Sequence, residues 1–348
     1  MDKPVGTDRD WITLLSDNSR TGGLHEASWQ KPNGVRWQFR AGRAIRSAPV
    51  LRDKTLYVME VHGTVYALNA DSGRPRWTRQ FPNLIHSTPS ISGDTLLFGC
   101  DGGEVHSLNL ETGKTMWEIT TGAEVWGSPV VRDDTVFFGS ADGRFYAVEH
   151  KTGKPRWIQT VGGRIYASAY ADEKHIYFSC GDGKVYALDP SSGTVQWSTP
   201  TGNGIDSSPA VIDGVVLVGS EDYFLYALDA TTGAVRWKFE TQLGISSSPA
   251  ASKDIVVFGS KDRTMYALDI RTGTLKWKTF AGTPITSPPV IVEPVVAVNA
   301  ERSVVCFDIA SGAVRWTARL GGGLQSAPVL AGGRMYVASQ NGVVYALE

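Results

Sequence analysis

Five side chains carry most of the chemistry this sequence could do, because they differ where their surroundings repeat: Arg46, His86, Trp126, Tyr166 and Asp206. Each follows an apolar residue in a segment recurring every forty residues, as AIRSAPVLRDK, LIHSTPSISGD, EVWGSPVVRDD, RIYASAYADEK and GIDSSPAVIDG. Catalysis near neutral pH needs proton-moving groups within reach of one substrate. Here Asp206 or His86 could act as base, Tyr166 as acid, and Arg46 as stabiliser of developing negative charge, which would suit a cofactor-independent lyase, isomerase or cyclase. The same set suits binding of a small anionic or amphipathic molecule, or of a protein or peptide. Trp126 and Tyr166 offer stacking faces, and Arg46 a partner for a carboxylate or phosphate.

The later copies of the segment carry Ser246, Thr286 and Gln325 at the variable position, so the set is lopsided. Two positions earlier, Glu124 and Arg164 stand among smaller or apolar residues. A turn that reads SADG or CGDG in two repeats reads SEDY, SKDR and NAER in three others, putting Tyr223, Arg263 and Arg302 in the place of glycine. The expected ligand-binding residues are Arg46, His86, Glu124, Trp126, Arg164, Tyr166, Asp206, Tyr223, Arg263 and Gln325. The plainer alternative is an exposed Glu124–Arg164 ion pair worth about 0–1 kcal/mol, two aromatics filling a channel, and a hydrogen-bonded structural His86.

Other chemistries find less support. No G-x-S-x-G elbow, phosphate loop or H-E-x-x-H occurs. His25, His62, His106, His150 and His175 lack metal-ligand spacing, and Asp142, Asp182, Asp222 and Asp262 recur at one turn position, which favours capping. No metal is expected. Cys100, Cys180 and Cys306 form no C-x-x-C pair and read as small buried residues. With 34 Lys and Arg against 35 Asp and Glu, nothing favours nucleic acid or an anionic membrane. No window approaches the roughly 18 apolar residues of a membrane span. As written the chain is expected in the cytoplasm, or in the periplasm or medium if a signal peptide had preceded it.

What positions these residues is an internal repeat. Trp37, Trp77, Trp117, Trp157, Trp197, Trp237, Trp277 and Trp316 are spaced by 40 residues six times and then by 39. Each unit reads as four short strands, xIxSSPxV, xVVFGS, xVYALD and a strand around the Trp, with Asp-Gly or Thr-Gly turns. Eight such units predict an all-β, eight-bladed β-propeller of four-stranded antiparallel blades over residues 33–348, with residues 1–32 packing on it as an entry segment. The chain stops after a third strand, NGVVYALE, while NGVRWQF near its start is a fourth strand without predecessors. The N-terminal strand should therefore complete the last blade and remove both exposed edges. Ile45, Ile85, Val125, Ile165, Ile205, Ile245, Ile285 and Leu324 should pack between blades, leaving the residue after each at the channel mouth.

The stretch from third strand to Trp follows A-x-D-x-x-[ST]-G-x-x-x-W, as in ALDPSSGTVQW, ALDATTGAVRW and ALDIRTGTLKW. Glycine permits the positive φ of a tight turn, and alanine leaves room for an indole between blades. The motif closely resembles the tryptophan-docking repeat of the PQQ-type (pyrroloquinoline quinone) propeller family, over about residues 34–348. DWITLLSDNSRTGG also resembles the entry segment common before such propellers. One branch of that family, the quinoprotein dehydrogenases, implies PQQ, a calcium or lanthanide ion, adjacent cysteines, a catalytic Asp with metal-ligating Glu and Asn, and long insertions. This chain has no adjacent cysteines and no room for insertions in its regular spacing, so neither PQQ nor another cofactor is expected. The other branch contains non-catalytic propellers such as the lipoprotein subunit of the outer-membrane barrel-assembly machine, similar in length and regularity. The leading expectation is a scaffold that binds a ligand or partner through its channel mouth over blades 1–5. A cofactor-independent enzyme built on His86, Tyr166 and Asp206 is the alternative, and a PQQ-dependent dehydrogenase comes third.

Overall fold

A computed structural model describes Gly23–Leu24 and residues 31–348. Apart from those two strand residues and residues 31–32, the expected entry segment lies outside the described residues. The rest is an all-β ring of eight antiparallel blades. Blade 1 is typical: an inner strand Val50–Arg52, then Thr55–Met59, Thr64–Asn69 and an outer strand Pro75–Gln80 around Trp77. The second strand is buried along its whole length in blade 1, and the third strand pairs Ala67 with Trp77 across the ladder.

The ring closes as its ends imply. Val35–Arg40 pairs antiparallel with Val343–Leu347 and becomes the outer strand of blade 8. Gly23–Leu24 adds a short strand parallel to Ile291 and Val292 on the inner edge of blade 7, beside the channel.

The inner strands are shorter than the repeat suggests. Ladder pairing begins at Val50 and its equivalents, four or more residues after the expected start, so residues 45–49 cross from one blade to the next instead. Proline precedes the first ladder residue in seven of the eight blades and has no N–H to donate. Side-chain hydroxyls serve the crossing: the N–H groups of Ser128, Ser168 and Ser208 donate to the hydroxyls of Ser168, Ser208 and Ser248, at 2.7, 3.0 and 2.9 Å. The S-[ST]-P signature is thus a blade-to-blade hydrogen-bonded band.

Tryptophan locks neighbouring blades at their outer edge. The indole Nε1–H of Trp77 donates to the carbonyl of Leu110 at 2.9 Å, and that of Trp197 to Ala230 at 3.0 Å, each in the following blade. The ring lies on the turn glycine there: a Cβ on Gly233 would come within 2.6 Å of Trp197 Cε3. Glycine is therefore needed twice, for its φ of +72° and for the space the indole occupies. The recurring turn aspartates cap as expected. In blade 4 Asp182 accepts from Lys184 N–H at 3.1 Å and from the Tyr186 hydroxyl at 2.6 Å, and Asp142, Asp222 and Asp262 do the same in their blades.

Candidate functional site: the channel mouth

The variable ring is fixed by backbone alone. The N–H groups of Asp101, Ala141 and Gly181, in the turns between second and third strands, donate to the carbonyls of Leu84, Glu124 and Arg164 at 2.8–2.9 Å. The N–H of Ile85, Val125 and Ile165 donates back to the preceding blade, and these apolar side chains are fully buried. None of these bonds uses the next side chain, so Arg46, His86, Trp126, Tyr166 and Asp206 are free to differ.

Three of them make one row. The rings of His86 and Trp126 lie 5.3 Å apart at 52°, and Trp126 stacks on Tyr166 at 4.4 Å and 22°. Asp101 ties the row down: it accepts the Trp126 indole N–H at 2.8 Å and lies 3.6 Å from His86 Nε2. Trp126 nevertheless stays 37% exposed, an indole held rigidly facing solvent. Arg164 donates to the Tyr166 hydroxyl at 3.2 Å and forms no ion pair with Glu124. Burial, reinforced by Arg46 and opposed by Asp101, holds the His86 pKa below its ordinary value.

Asp206 belongs to a second group. Its carboxyl pKa is pushed up by burial and by the neighbouring Glu221 carboxylate, against the pull of Lys261, which pairs with Glu221 at 2.6 Å. No hydrogen bond or ion pair links Asp206 to His86 or Tyr166. Asp101, Glu221 and Lys261 were not anticipated as mouth residues, although all three open the same turn, where the neighbouring repeats carry Ala141 and Gly181. The signal was position within the turn, read only at its glycine.

Tyr223 and Arg263 do take the place of the turn glycine, with φ of 80° and 71°, and Tyr223 is exposed. Arg302 does not. Blade 7 has a two-residue turn, one residue shorter, and the left-handed residue is Glu301 at φ 54°. Across the mouth from the aromatic row, where Thr286 and Gln325 are small or exposed, lies an open basin of about 490 Å³ bordered by Arg263, Thr283, Asn299 and Glu301. The hollow of the mouth thus lies over blades 6–8, because Trp126 and Tyr166 fill the opposite side.

Three histidines, His106 buried and His86 and His150 half-buried, predict acid sensitivity. Burial lowers the pKa of His86, of His106, which sits between Phe81 and Phe98, and of His150. The folded state then binds fewer protons than the unfolded chain once pH falls below the unfolded value of about 6.5. Stability should be level above that pH and fall as pH drops toward the folded pKa values. Melting temperature followed from pH 7.5 to 5 reads this, and His106→Phe should flatten the slope; an unchanged slope would contradict the assignment.

Comparison with known proteins follows the same lines. Residues 131–348 match the family model described as "Beta-alanine-activating enzyme, beta-propeller", and residues 8–199 that described as "Outer membrane protein assembly factor BamB". Among solved structures, BamB from Moraxella catarrhalis superposes with a TM-score of 0.81 at 20% identity, covering 90% of this chain and 99% of that one. The quinohemoprotein alcohol dehydrogenase of Comamonas testosteroni gives 0.83 at 16% identity, over 97% and 80%. A europium-containing methanol dehydrogenase gives 0.84 at 13%, over 98% of each chain. At these identities the structural likeness establishes the fold alone. Among curated proteins the chain has no match.

Proposed function

The chain belongs to the PQQ-type repeat β-propeller family, and from that premise we propose that it is a binding scaffold whose channel mouth captures a segment of a protein partner. The observation that carries this reading is Trp126, stacked, hydrogen-bonded to Asp101 and still exposed to solvent. A rigid aromatic face of this kind binds with little entropy left to lose. Leu84, Tyr223 and Leu243 are further exposed apolar side chains on the same face. Arg46, Glu124, Arg164 and Asp206 supply a mixed charged rim suited to register rather than to bulk affinity.

Two points favour a scaffold over an enzyme. Trp126 occupies the space between His86 and Tyr166, and Asp206 answers to Glu221 and Lys261 instead. The donor set also does not fit a quinone with its metal: among the described residues no three His, Cys, Asp or Glu side chains cluster as ligands, and the three cysteines are separate and buried. Among the described residues no helix is long and apolar enough to cross a membrane.

The test is capture and rebinding. A partner recovered on the wild-type chain and then purified is expected to bind Trp126→Ala or Tyr166→Ala about tenfold or more weakly, with melting temperature unchanged. Equal binding by the three proteins would place the contact off the aromatic row and overturn Trp126 as its anchor.

A further inference from the structure

Blade 7 breaks the repeat three times at one point. Where blades 2, 3, 5 and 6 end their second strand in Gly99, Gly139, Gly219 and Gly259, blade 7 has Asn299. In those four blades a Cβ would come within 2.4 Å of the β-branched side chain entering the next blade, Val125, Ile165, Ile245 or Ile285. Blade 8 receives Leu324 instead, which branches one carbon further out, and the turn after Asn299 is one residue shorter. Blades 1, 4 and 8 carry Met59, Ser179 and Ala338 at the same register, so the position accepts side chains, but blade 7 alone places an amide there.

That side chain is 2% exposed and only half satisfied. Asn299 Nδ2 donates to the Ser326 carbonyl at 2.5 Å, which fixes the amide orientation, and Asn299 Oδ1 has no hydrogen-bond partner. Asn299 lines the 490 Å³ basin, and so does Thr283, whose hydroxyl is also buried without a partner. A buried acceptor left unpaired costs stability. Two around one hollow mark a place shaped for a donor from outside.

We propose that the basin over blades 6–8 is a peptide main-chain site, in which an N–H of an extended partner segment donates to Asn299 Oδ1 beside Thr283. The inference rests on the scaffold reading and names what the partner presents. Amide and hydroxyl side chains, Asn299, Gln325, Gln340 and Thr286, match the donor and acceptor of a peptide unit, and the rim charges Arg263 and Glu301 are of opposite sign. Leu243 and Tyr223, exposed on the adjoining blades, offer apolar contact to alternate side chains of such a segment. No aromatic ring lines the basin, so the stacking platform that a sugar ring would use is missing there.

The experiment screens the full chain against an array of capped random octapeptides, with an oligosaccharide array in parallel, and then titrates the best peptide and its singly backbone-N-methylated analogues. One N-methyl group is expected to weaken binding to the wild-type chain about tenfold or more. Asn299→Gly, the residue of blades 2, 3, 5 and 6, should bind the parent peptide as weakly and lose nothing further with that analogue, while still melting cooperatively as a folded propeller. The proposal is overturned if no octapeptide binds at about 1 mM, if Asn299→Gly binds undiminished, or if only oligosaccharides are retained and lost on Asn299→Gly. A peptide lost by Trp126→Ala but kept by Asn299→Gly overturns this inference and leaves the scaffold reading standing. A peptide lost by Asn299→Gly but kept by Trp126→Ala upholds the basin site and removes only Trp126 as an anchor of the partner.

Discussion

Trp197→Ala is expected to cost about 3–5 kcal/mol, a fall in melting temperature on the order of 10 °C. The indole is 9% exposed, packs on Gly233 of the following blade and donates to the Ala230 carbonyl. Truncation opens a cavity between two blades and leaves that carbonyl without its partner. Two controls isolate the contact. Trp126→Ala, at the exposed mouth, should move the melting temperature little. Gly233→Ala and Gly282→Ala both place a side chain at positive φ, +72° and +84°, but only the first would drive its Cβ into an indole, because Gly282 has nothing within 4 Å. Gly233→Ala should therefore be clearly the more damaging. Thermal unfolding followed by circular dichroism checks all four, and a Trp197→Ala protein melting within about 2 °C of wild type would refute the locking role.

Deleting residues 1–40 is expected to abolish the monomer. Val35–Arg40 is the outer strand of blade 8, and its removal bares the edge of Val343–Leu347, whose Val344 and Ala346 are fully buried. Trp37 goes too, and with it the dock onto Gly73 and the 2.9 Å bond to the Ala70 carbonyl that join blade 8 to blade 1. Also lost are the Arg36–Glu348 ion pair and the Asn33 N–H bond to the Glu348 carbonyl at 2.6 Å. An open ring with an unpaired apolar strand edge associates with itself. Light scattering after size exclusion should show oligomers or aggregate, and adding a peptide of residues 31–42 in trans should restore monomer. A deletion variant that stays monomeric and melts like the full chain would show that ring closure contributes little.

Trp126 and Asn299 mark the limit of what could be read from the chain. The alternation of Ile85, Val125 and Ile165 with variable neighbours was legible, and so was the stacking potential of Trp126 and Tyr166. The tie through Asp101 was not, since it joins side chains 25 residues apart from adjacent blades. The Glu124–Arg164 pairing looked equally reasonable in the sequence, yet Arg164 turns to Tyr166. Asn299 stood in the sequence only as the first residue of the NAER turn, and its orphaned oxygen and the hollow above it exist only in the fold.

The sequence by itself determined the number of blades, their four strands, the closure by the N-terminal strand and the docking of each Trp. All of these repeat eight times or follow from which strands the first and last repeats carry, so local rules of strand, turn and volume suffice. Only the tertiary structure decided which variable residues meet, where the mouth is full and where it is hollow, and which polar atoms are left without partners. Those outcomes depend on distances between side chains of different blades, which the forty-residue period brings to one ring without saying which way each will turn.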